Sequence, residues 1–67
     1  MRQIRVLVVE DSLVFRELLV RNLNMDPEVT VVATARDPYE ARDAIVKYRP
    51  DAVITPLSEI LESSLYG

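Results

Sequence analysis

The chain has 67 residues, with eight Lys and Arg against eleven Asp and Glu and neither cysteine nor histidine. That length allows one small domain, and the missing residue types exclude disulfides, thiolate metal sites and any Ser-His or Cys-His nucleophile built from this chain. The net charge of −3 without a basic cluster argues against nucleic acid and anionic membrane as partners, while 49% apolar residues with a single glycine suggest more apolar surface than so small a domain can hide alone.

Ile4-Arg5-Val6-Leu7-Val8-Val9 is a nearly continuous apolar run and reads as a central strand of a parallel sheet, buried on both faces. It is too short to cross a bilayer, carries Arg5 and ends in acids, so neither a signal peptide nor a membrane span is expected and a cytoplasmic protein is the default. Helical spacing follows from Leu13, with Phe15, Leu18, Leu19 and Leu23 as the apolar stripe and Arg16, Glu17, Arg21 and Asn22 on the other face. Asp11 or Ser12 is its N-cap, and Asp26-Pro27 stops it near Asn24 or Met25. Val29 to Ala35 is a second β-branched run, parallel to the first because a helical crossover joins them. Asp37-Pro38-Tyr39-Glu40 starts a second helix, with Asp37 as cap, Pro38 in the first turn and Glu40 reaching back as in a capping box. Ala41, Ala44, Ile45 and Tyr48 form its stripe and Pro50 ends it. Asp51 to Thr55 is a third, short strand, and Leu57, Ile60, Leu61 and Leu65 then recur at helical spacing. The pattern is βαβαβα, half of a doubly wound domain.

Glu10 and Asp11 fall at the carboxyl end of the first strand, the edge where open α/β sheets bind ligands. Two carboxylates there make a hard oxygen site suited to Mg²⁺, though a weak one, because that ion gives up its water reluctantly. The plain alternative is a solvated turn that starts the helix. Ser12 reads as a cap rather than a nucleophile, since no base is available, and Glu59 reads as part of a solvated helix face.

Val6-Leu7-Val8-Val9-Glu10-Asp11-Ser12, the loop Asn24-Met25-Asp26-Pro27-Glu28-Val29 and Tyr48-Arg49-Pro50-Asp51-Ala52-Val53-Ile54-Thr55 resemble a response-regulator receiver domain, most of all the amino-terminal receiver of the chemotaxis methylesterase family CheB. The resemblance covers about residues 4–55 and implies a flavodoxin-like (CheY-like) half domain, with a three-stranded parallel sheet of order 2-1-3. It implies phosphorelay signalling, with a histidine kinase or other receiver-family proteins as partners and Glu10 and Asp11 as the Mg²⁺-binding pair. The family's phosphoacceptor aspartate would fall at position 57, where Leu57 stands. The fourth and fifth strands, which bring a hydroxyl residue and a lysine to the phosphoryl group, do not follow. The chain is therefore expected to be a truncated receiver-like domain over 1–67, with a divergent C-terminal helix over 56–67, without phosphoacceptor activity and not an enzyme. An atypical phosphoacceptor, and a truncated or frameshifted gene product with no selected activity, are the alternatives that stay open.

In an order 2-1-3 the third strand is an edge, a template for pairing with another chain. A homodimer is expected, through that strand or the last helix, with Val53, Ile54, Leu57, Ile60, Leu61 and Leu65 at the contact.

Overall fold

The computed structural model describes residues 2–55. In chain order they form β1 (Ile4–Val9), α1 (Leu13–Asn24), β2 (Val29–Ala35), α2 (Pro38–Tyr48) and β3 (Ala52–Ile54). The three strands make one parallel sheet of order β2-β1-β3. The expected half domain of order 2-1-3 is thus observed, with β3 one residue shorter at each end than the apolar run suggests. The expected last helix lies outside the described residues.

Because β1 is flanked on both edges, its second half is buried. Leu7 and Val8 are wholly enclosed, and Val6 and Val9 nearly so. The β1–β2 ladder runs from Ile4↔Val29 to Val9↔Ala35 and slips by one between Val6 and Leu7, leaving Val32 without an opposite number. The crossover through α1 moves the chain to one side of β1 and that through α2 carries it back to the other. With both crossovers right-handed, the helices lie on opposite faces of the sheet. Leu7 and Val9 therefore meet α2, packing with Ala35 and Ala41 and partly with Ala33 and Ala44. Small alanines on both sides let that helix approach the sheet closely.

Both helices start on side-chain caps. The Ser12 hydroxyl accepts from the Phe15 amide, and Asp37 Oδ1 accepts from the Glu40 amide at 2.8 Å. Glu40 does reach back, but past the cap: its Oε1 accepts from the Arg36 amide at 3.0 Å and its Oε2 pairs with the Arg36 guanidinium at 2.7 Å. Residue 36 leaves the strand with both backbone and side-chain donors aimed at Glu40, so the expected reciprocal bond to Asp37 gives way to this one. Arg49 ends α2 in the left-handed region at φ 48°, its amide donating to Ile45.

The apolar stripe expected on α1 is rotated. Leu19, Val20 and Leu23, with Arg16, are the half-buried residues, whereas Phe15 is 60% exposed and Leu18 46% exposed. Arg16 turns inward because its Nη1 donates to the Glu10 carbonyl at 3.1 Å, which fixes the helix face at the first turn.

A clamp closes the amino end of the sheet. The Arg5 amide donates to Asp51 Oδ2 at 2.9 Å, and the Asp51 amide returns a bond to the Arg5 carbonyl at 2.7 Å. The Arg5 guanidinium donates to the carbonyls of Tyr48 at 2.6 Å and Arg49 at 3.0 Å, while Arg2 pairs with Asp51 at 3.2 Å. The Arg5 amide above all, with the Arg2 and Arg5 charges, holds the Asp51 carboxyl below its ordinary range; the Arg36 pair does the same for Glu40. Groups with a lowered folded pKa stabilise fully above the unfolded value, near 4, and lose that contribution as the pH falls below it. The urea midpoint should therefore drop on acidification from about pH 5 to pH 3. Asp51→Asn should make the curve shallower in that window by lowering its neutral-pH end; an unchanged pH profile would remove Asp51 from the acid response.

Candidate functional site

The carboxyl ends of β1 and β3 open beside the start of α1. Glu10, the first residue past β1, is only 6% exposed. Its amide donates to the Ala35 carbonyl at 2.9 Å and its carbonyl accepts from Arg16, so the backbone is tied on both sides. Its Oε1 accepts from the Ser12 amide at 3.0 Å. A buried carboxylate needs such donors, and the amino end of α1 next to it adds the favourable end of the helix dipole. Asp11 is exposed at the rim.

The pair closes one end of a groove of about 470 Å³ between α1 and β3, whose other walls are Ser12, Phe15, Leu19, Ile54 and Thr55. The expected Glu10–Asp11 pair is therefore brought together at the sheet edge. Ile54 reaches the same groove, and Val53 lies beside it on β3, 45% exposed. Leu57, Ile60, Leu61, Leu65 and Glu59 lie outside the described residues. Phe15, Leu19 and Thr55 escape sequence reasoning as site residues: Phe15 and Leu19 look like core by spacing, and Thr55 like the end of a strand.

The donor set suits a hard cation in part. Glu10 and Asp11 offer carboxylate oxygens, one of them already committed to the Ser12 amide, and among the described residues no cluster of three or more candidate ligands forms. Two protein ligands with water completing the shell fit Mg²⁺, as a weak site. The Ser12 hydroxyl is engaged as the cap of α1, accepting from the Phe15 amide. The groove is thus equipped to bind a cation or a cationic group at its acidic end and apolar groups along its length.

Three comparisons bear on the chain. No protein-family model matches it. It is 53% identical over 53 residues to protein-glutamate methylesterase/protein-glutamine glutaminase 2 of Syntrophomonas wolfei, covering 79% of this chain and 16% of that protein. It is 58% identical over 50 residues to the enzyme of the same name, without the number, from Nitrosospira multiformis, covering 75% of this chain and 14% of that one. The crystal structure of the response regulator domain of Thermotoga maritima CheB superimposes with a TM-score of 0.76 and 38% identity, over 78% of this chain and 39% of that one. The chain is a CheB-like receiver segment. It spans about one sixth of the curated relatives' length, and the match falls in their amino-terminal stretch. The CheY-like topology of this CheB-like segment follows from the same superposition. No helix among the described residues is long and apolar enough to cross a membrane.

Proposed function

We propose that the chain is a receiver-derived binding module of chemotaxis phosphorelay signalling, working in the cytoplasm, which accepts no phosphoryl group and is not an enzyme. The observation that carries this reading is the Glu10–Asp11 pair at the carboxyl end of the central strand of a parallel β2-β1-β3 sheet, in a segment similar to CheB receivers. Leu57 stands where the receiver pattern places its acceptor, and a hydrocarbon side chain neither takes a phosphoryl group nor ligates a metal. Residues 4–55 supply the receiver-like part, and 56–67 diverge from it.

Glu10 and Asp11 would hold Mg²⁺ weakly, and the ion would supply positive charge at the sheet edge. Ser12 orients the Glu10 carboxylate through its amide, and Arg16 fixes the Glu10 backbone. What remains is recognition: a histidine kinase or another receiver-family protein is the partner class, together with a second copy of the chain. The outer edge of β3, with Val53 and Ile54, supports self-association; Leu57, Ile60, Leu61 and Leu65 are assigned to the same contact from sequence.

The test is incubation of the full chain with acetyl phosphate and Mg²⁺, followed by intact mass measurement and amide NMR. The expected result is no phosphoryl adduct, together with cation-dependent shifts confined to Glu10, Asp11 and their neighbours and abolished in Asp11→Asn. An adduct on any side chain would establish an atypical phosphoacceptor instead.

A further inference from the structure

Glu10 is a buried carboxylate that no side chain of this chain balances. It is 6% exposed, and its Oε1 accepts only a neutral donor, the Ser12 amide. Arg16 stands close by but gives its Nη1 bond to the Glu10 carbonyl instead. The two ion pairs among the described residues, Arg2–Asp51 and Arg36–Glu40, lie elsewhere. All eight Lys and Arg fall within the described residues, and 56–67 contain none. The amino terminus leads into the opposite end of β1. Buried carboxylates are ordinarily paired with a cation or coordinate a metal, so the counter-charge of Glu10 comes from outside the chain.

The rest of the groove selects what brings that charge. Beyond its acidic end the walls are chiefly Phe15, Leu19 and Ile54, and the whole holds about 470 Å³. That size, with mostly apolar walls and a few polar groups at one end, suits an organic group. Hydrated Mg²⁺ fills the acidic end alone, because the waters it keeps find no partners on hydrocarbon walls. Phe15 is 60% exposed and lies in the first turn of α1, near the carboxylates, where a ring face attracts an ammonium or guanidinium. Residues 56–67 continue from Thr55 at the groove wall, but they bring Glu59 and Glu62 and no cation, so their charge does not complement the acidic end.

We infer that the groove between α1 and β3 binds a segment of a partner protein in which a lysine or arginine is flanked by apolar residues. The cation meets Glu10 and Asp11, and the flanking side chains lie on Phe15, Leu19 and Ile54. Mg²⁺ and this segment then compete for the same carboxylates. The inference rests on the reading of the chain as a binding module and adds the chemistry of what it binds.

The experiment is an amide NMR titration of the full chain with the blocked tripeptide acetyl-leucyl-lysyl-leucine amide, with and without Mg²⁺. Two control peptides replace the lysine by norleucine or both leucines by glycine, and the protein variants are Asp11→Asn and Phe15→Ala. The expected result is shifts at Asp11, Ser12, Phe15 and Ile54, with Mg²⁺ lowering the apparent affinity. Either control peptide and either variant should weaken binding about fivefold or more. Equal binding of the norleucine peptide would overturn the role of the cation, and equal binding of the glycine peptide that of the apolar walls; each result sinks the inference. Mg²⁺ shifts at Glu10 and Asp11 without a response to any peptide would overturn it while leaving the cation site standing. Silence toward both Mg²⁺ and the peptides would overturn the inference and the cation site together.

Discussion

Leu7→Ala is expected to abolish cooperative folding of the chain. Leu7 is fully enclosed at the centre of β1, against Val9, Ala35 and Ala41. Its neighbours are mostly alanines and a strand backbone, which cannot collapse far into the space that a lost isobutyl group leaves. Replacing a buried leucine by alanine typically removes about 2–5 kcal/mol. At roughly 0.05–0.15 kcal/mol per residue, a chain of 67 residues holds about 3–10 kcal/mol in all. The upper part of one range therefore meets the lower part of the other. Urea unfolding followed by circular dichroism should show a broad transition, or none, in Leu7→Ala. Val53→Ala, at a half-exposed edge position, should shift the midpoint only slightly. A Leu7→Ala midpoint close to the wild type would show that the helix α2 face contributes little to the core.

Arg5→Ala should be the most damaging change at an exposed position, lowering stability by about 1–2 kcal/mol. The guanidinium reaches two carbonyls at the end of α2, Tyr48 and Arg49, from the second residue of β1. Those carbonyls have no partner within the helix, and positive charge at that end also suits the helix dipole. Both carbonyls are satisfied by one planar fork, which a lysine ammonium does not reproduce. Arg5→Lys should therefore recover only part of the loss. Full recovery would mean that charge alone matters, and equal loss in the two variants would assign the effect to the fork. The bonds from the Arg5 amide to the Asp51 carboxylate and from the Asp51 amide to the Arg5 carbonyl stay in place in either variant, which separates the contribution of the Arg5 side chain from theirs.

Much of this fold is legible in the sequence because its signals are local and agree with one another. The apolar run at Ile4–Val9, the β-branched run at Val29–Ala35, and the caps Ser12 and Asp37 mark their elements within a residue. What the sequence does not reveal depends on what lies opposite. Phe15 and Leu18 carry the residue type of a core stripe, yet they face outward because Arg16 is drawn to the Glu10 carbonyl. No periodicity argument foresees a half-buried arginine displacing a leucine. The burial of Glu10 is hidden for a similar reason. Its neighbour Asp11 is the same chemical type, and only the sheet geometry decides which of the two turns in toward Ser12. The acid pair itself is plain in the sequence; the apolar trough beside it appears only once the three residues of β3 are placed against α1.

The order β2-β1-β3 has a consequence for the chain as it leaves the ribosome. The first strand made is the last to be completed, because Val6, Leu7 and Val8 take Ala52, Val53 and Ile54 as their partners on one side. Pairing with β2 becomes available as soon as Ala35 has emerged. Until β3 follows, the most apolar strand of the nascent chain keeps one hydrogen-bonding edge open, a template for misassociation on crowded polysomes. That edge closes only when Ala52 to Ile54 have emerged, so the shortest strand of the sheet is the one that seals its most apolar one.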